Sequence, residues 1–105
     1  MSTNNHAQIR YHALDRCFSN FGRRYYIEDL VKECCDAIYN FKGIHDGAHR
    51  RQVMKDIVFM ESPEGWNAPI TRHKDGRRVY YRYEDRDFTI NKRPLSPTEM
   101  AQLKE

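Results

Sequence analysis

The chain has 105 residues, of which 39% are apolar and 31% charged, which suits one domain with one modest core and argues against wholesale disorder. Its 18 basic and 15 acidic side chains leave a net charge of +3 and a pI near 8.8, too mild a balance to identify an anionic partner by itself. No apolar run approaches the roughly 18–20 residues of a membrane-spanning helix, and the opening MSTNNHAQIR lacks the apolar stretch of a secretory leader.

In chain order, the segment AQIRYHALDRCFSNF places Ala13, Leu14, Cys17, Phe18 and Phe21 on one stripe with Ile9 beside it, which predicts a helix that Ser19-Asn20 and Gly22 end. Residues 1–24 hold four basic and one acidic side chain. The next segment, YIEDLVKECCDAIYNF, fills every slot of the helical template from Ile27 through Leu30, Val31, Cys34, Cys35, Ile38 and Tyr39. Glu28 and Asp29 in its first turn suit the helix dipole. The stretch 25–41 is acidic, with four carboxylates against one lysine.

Asp46-Gly47 breaks the chain before a third helix in HRRQVMKDIVFMES, whose expected apolar face is Val53, Met54, Ile57, Val58 and Met60. Ala48, Arg51, Gln52 and Lys55 recur at helical spacing opposite that face, so two cations and an amide are expected on one exposed strip. Pro63 and Gly65 stop the helix. In APITRHKDGRRVYYRY, Asp75-Gly76 signals a two-residue type I′ hairpin turn. Pairing about that turn sets Ile70 opposite Tyr81, Arg72 opposite Val79, Thr71 opposite Tyr80 and His73 opposite Arg78, with Lys74, Arg77 and Arg78 at the tip. Residues 70–93 carry eight basic and four acidic side chains. Near the end, Ser96-Pro97-Thr98-Glu99 is a capping box with proline at the first helical position, followed only by MAQLKE. That helix is too short to stand alone, so it reads as either packed on the domain or cut off from a longer protein, with the second preferred.

Three helices and a basic hairpin, mainly α with a small β element, fit a winged helix-turn-helix: a three-helix core, a wing and the beginning of a C-terminal linker helix. A helix about 10–12 Å across fits the DNA major groove, and cations at a hairpin tip can meet phosphates or the minor groove. The connection of roughly Lys42 to Gly47 is longer than the usual turn of that motif.

The order HRRQVMKDIVFMES, GWNAPI, DGRRVYYRYEDRDFTI resembles the N-terminal winged-helix domain of bacterial transcriptional regulators that carry a WYL domain, most closely the variants of Bacteroides-type bacteria. Arg50, Arg51, Gln52, Val53, Lys55, Asp56 and Ile57 follow the family pattern at the third helix. His49 stands where the family has serine and Tyr26 where it has a capping threonine or serine, both weaker caps. The likeness spans about residues 7–93 and leaves 94–105 as the start of the linker toward an absent C-terminal domain, to which ligand sensing is expected to belong. It implies sequence-specific binding of double-stranded DNA, with His49, Arg50, Arg51, Gln52 and Lys55 in or beside the major groove. Lys74, Arg77 and Arg78 then form the wing contact, and Arg23, Arg24 and Tyr25 touch phosphate. A two-fold operator would call for a homodimer.

The competing readings are plainer. Arg51 and Lys55 can be a solvated helix face, and Lys74, Arg77 and Arg78 solubilising charge on a hairpin edge. A winged-helix domain can also serve protein interaction or dimerisation without DNA, and RNA binding lacks an aromatic strand signature. Trp66, Tyr81 and Tyr83 read as core plugs at the base of the wing. No enzyme site is legible. His12 and Cys17 are five residues apart and do not stack on one face, and His6, His45, His49 and His73 have no metal-ligand spacing with a cysteine. Three cysteines, two of them adjacent and none in CxxC, point to reduced thiols in the cytoplasm. No cofactor and no membrane partner is expected.

Overall fold

The computed structural model of the chain describes residues 6–45 and 47–91. Its elements run α1 (Ala7–Ser19), β1 (Tyr25–Tyr26), α2 (Ile27–Lys42), α3 (Arg50–Glu61), β2 (Ile70–Asp75) and β3 (Arg78–Tyr83). The three helices and the hairpin therefore stand where the periodicity predicts them. β1 is new: two residues too short to show a period, added to the hairpin as an edge strand in the order β1-β3-β2. The Ser96–Glu99 capping box, the linker helix of 94–105 and Asp46 of the Asp46-Gly47 break lie outside the described residues.

α1 and α2 pack through Leu14, Phe18, Leu30, Cys34 and Ile38, all essentially without solvent exposure. α1 ends where Asn20 breaks the pattern, its side chain accepting the Gly22 N–H at 3.1 Å. At the start of α2 the Tyr26 N–H donates to the Asp29 carboxylate at 3.0 Å, so an acidic residue in the first turn does capping work that tyrosine does not invite. The long connection 43–49 opens with Gly43 in the left-handed region at φ 70°. It then passes so close to α2 that a Cβ on Gly47 would sit 2.7 Å from Ile38 Cγ2. Glycine at 47 lets the loop lie flat on the core before α3 begins.

α3 corrects the expected apolar face. Val53, Ile57 and Met60 are buried, but Met54 is 41% exposed and Val58 60%. The five apolar positions span too wide an arc for one packed side, and the buried arc is completed by Asp56 instead, 2% exposed. Ala48, expected on the outer strip, is buried at 5%. A charged residue enters the core because a charged partner waits there.

The hairpin register is also corrected. Ile70 pairs with Tyr83, Thr71 with Arg82, Arg72 with Tyr81, His73 with Tyr80, Lys74 with Val79 and Asp75 with Arg78. The turn is therefore Gly76-Arg77, with Gly76 at φ 67°. Glycine at the first central position, followed by a residue without positive φ, is the pattern of a type II′ turn rather than I′. The shift moves each partner by two residues and so keeps every side chain on its expected face. Tyr81 and Tyr83 are buried at the wing's base, and Trp66 packs edge-on against Tyr11 and Phe59. Beyond β3 the chain is tied back to α1 by Asp15. That buried carboxylate accepts from the Tyr83 hydroxyl at 2.7 Å, the Thr89 hydroxyl at 2.7 Å and the Ile90 N–H at 3.1 Å.

Candidate nucleic-acid interface

α3 is held from behind by charge. Arg10 on α1, 2% exposed, donates to Asp56 through Nε at 2.5 Å and Nη2 at 3.3 Å, and the Gln52 amide adds a third donor at 3.2 Å. At the other end, Arg72 on β2 clasps Glu61 with two bonds of 2.7 and 2.9 Å. Both acids of α3 are thus satisfied from other elements. Arg50, Arg51 and Lys55 are exposed, and among the described residues none of them has an ion-pair or hydrogen-bond partner.

The wing crosses the same side. The Tyr81 hydroxyl lies 3.9 Å from the Met54 sulfur, and a cleft of about 200 Å³ is lined by Arg50 together with Tyr26, Ile27, Glu28, Arg77, Arg78 and Val79. The first turn of α3 and the hairpin tip therefore share one concave surface. Of the two wing arginines that line it, Arg78 is already engaged. Arg78 sits 3.6 Å above the Tyr26 ring and 3.9 Å from Glu28. Arg24 pairs with Asp75 at 3.2 Å and lies over Tyr80, and the Tyr26 hydroxyl donates a short hydrogen bond to the same Asp75. That bond, with Arg24 nearby, holds the Asp75 carboxyl below its ordinary pKa. Arg23 pairs with Asp29 at 3.7 Å.

Of the residues expected at the interface, the structure brings together Arg50, Arg77 and Arg78, with Arg51 and Lys55 continuing along the exposed side of α3. Lys74 and Arg77 are exposed and without a partner among the described residues. Three expectations change. Tyr25 is 7% exposed, its ring covered by Arg23 and its hydroxyl accepting from Asn20, so it belongs to the core rather than to a phosphate contact. Gln52 is half-buried and its amide nitrogen donates inward to Asp56 at 3.2 Å. His49 occupies the N-cap position of α3 with no side-chain capping bond; its carbonyl accepts the Val53 N–H at 2.9 Å.

Sequence reasoning missed Met54 and Val58, which share the outer face with the cations, because hydropathy alone files them as core. It also counted Arg10 toward a basic N-terminal surface. The signal available was Asp56 in the middle of an apolar arc, which demands a buried cation somewhere. Cys17 and Cys34 are buried, and burial pushes the Cys17 thiol up to about 12, so it stays protonated at neutral pH and is no nucleophile. No helix among the described residues is long and apolar enough to cross a membrane.

A comparison with family models matches residues 6–93 to the WYL domain-containing protein, N-terminal winged helix domain. No curated protein and no solved structure matches the chain.

Proposed function

This chain belongs to the WYL domain-containing proteins, as their N-terminal winged helix domain, and from that premise we propose that it binds duplex DNA sequence-specifically as the reader module of a transcription regulator. The observation that carries the reading is the shared cleft of Arg50, Arg77 and Arg78, continued by Arg51 and Lys55, which have no ion-pair partner among the described residues. In this reading α3 enters the major groove, where arginine can grip guanine O6 and N7 with two bonds. The wing, through Lys74, Arg77 and Arg78, follows the backbone or the adjoining minor groove. Arg23 and Arg24, ahead of α2, neutralise phosphate. No bond chemistry is involved: cations displace condensed counterions, which supplies affinity, and base edges supply selection.

The test is a salt titration of binding to a site selected from random duplex DNA. About 4–6 phosphate contacts give a log–log slope of about −4 to −5; a slope near zero overturns the reading. Protein docking is a second reading with its own observation, the exposed apolar group of Tyr39 (48%), Phe41 (74%) and Ile44 (42%) at the end of α2. Contact through that patch survives high salt, and so the same titration separates the two.

A further inference from the structure

The outer face of α3 carries an unusual mixture. Arg50, Met54 and Val58 form one row at four-residue spacing, and Arg51 and Lys55 form the row beside it. Met54 is 41% and Val58 60% exposed, so a large share of each meets water in the free protein. Packing against an apolar protein surface would cover both, but it would also strip water from three neighbouring cations and offer them no anion. The acids of α3 cannot help, because Asp56 is held by Arg10 and Glu61 by Arg72. A surface that satisfies this face must alternate acceptors with methyl groups. The major groove of B-DNA does so: guanine N7 and O6 and the phosphates accept, while thymine presents a C5 methyl.

We infer that Met54 and Val58 are specificity-determining residues that read thymine through its C5 methyl group, so the bound half-site holds thymine next to the base gripped by Arg50 or Arg51. The inference rests on the DNA-reading proposal and deepens it. Met54 is positioned for the task by Tyr81, whose hydroxyl lies 3.9 Å from its sulfur, so the wing's base sets where one apolar reader points. Val58, a turn farther along, is stiff at its branched carbon and presents two methyls with little freedom to lose. The Gln52 amide nitrogen is already engaged by Asp56 in the free protein, and apolar contact is a second means of sensing an A·T pair.

The test uses the full chain and a site selected from random duplex DNA. Each thymine of the site is replaced singly by deoxyuridine, which deletes only the methyl. Loss of a buried methyl is expected to weaken binding about fourfold at one or two positions per half-site, with other positions unaffected. Val58→Ser, at a position too exposed to matter for folding, should bring the penalty at one of them close to one; Met54→Gln should do so at another. Retained binding with every uridine neutral overturns the methyl reading and leaves DNA recognition intact, as does a selected half-site without thymine. Selection that enriches no duplex at all overturns both.

Discussion

The two cationic regions that meet in the cleft are built on opposite plans. α3 is anchored by the buried Arg10–Asp56 pair on its hidden side and by the exposed Arg72–Glu61 clasp at its last residue, and its outward cations have no partner among the described residues. The β1 and wing region is anchored by its own outward cations: Arg24 on Asp75, Arg78 on Glu28 and the Tyr26 ring, Arg23 on Asp29. Counting arginines treats the two regions alike, but a phosphate meeting α3 gains a new ion pair, whereas one meeting Arg24 or Arg78 competes with a carboxylate already beside it. On the DNA-reading proposal the net electrostatic gain is therefore concentrated on Arg50, Arg51 and Lys55, with Lys74 and Arg77 as the wing cations that have no partner among the described residues.

The largest expected effect tests the anchoring. Arg10→Ala leaves Asp56 buried without its ion partner and should destabilise the fold by about 3–5 kcal/mol in denaturant unfolding, while Arg24→Ala, in an exposed pair, should leave the midpoint nearly unchanged. Equal losses would erase the contrast. Next, Arg51→Ala should weaken binding to a selected site by about 1–3 kcal/mol and relax base preference at one position, read by gel-shift titration against a panel of single-base variants. Smaller still is the wing pair. Arg77→Ala should lower the salt slope by about 1 and weaken all sequences alike, and Arg78→Ala should change the slope less, because Arg78 already lies beside Glu28 and adds less to phosphate neutralisation. A larger slope change for Arg78 would show that its intramolecular pairing is not what governs it.

The smallest effect is a titration. A carboxylate whose folded pKa is lowered contributes stability above its unfolded value and loses it as pH falls through the folded one. Asp75 should therefore remain charged below the ordinary value of 3.8, and the hydrogen bond from Tyr26 is the first cause. NMR of the Asp75 side-chain carboxyl should place its midpoint below that value, with Tyr26→Phe moving it upward. An unmoved midpoint in the variant would remove the tyrosine from the wing's support.

The three helices were legible because their buried stripes obey helical spacing, and α2 is the clearest case. What pattern alone misassigned has one physical origin: tertiary pairing decides which side of an element is inside. Met54 and Val58 look like core until Asp56 takes their place in it, and Asp56 can do so only because Arg10 is also buried. The hairpin's existence and faces followed from alternation and from glycine, but its register depended on which of two glycine-compatible turns the strands adopt. β1 has two residues and no period, so only its pairing with Tyr80 and Tyr81 reveals it. Within the candidate site, the cations of α3 and the wing were readable from composition and order, but their different pairing was not, since each partner lies on another element.

The Arg72–Glu61 clasp and the Tyr81–Met54 contact join β2 and β3 to α3 at two heights, and the consequence is that helix and wing act as the fixed jaws of a caliper. On the DNA-reading proposal, such a bracket resists splaying to follow a duplex of unsuitable width. On that proposal, bending and groove adjustment fall to the nucleic acid, and base steps that deform easily between the jaws are expected to be favoured even where no side chain touches them.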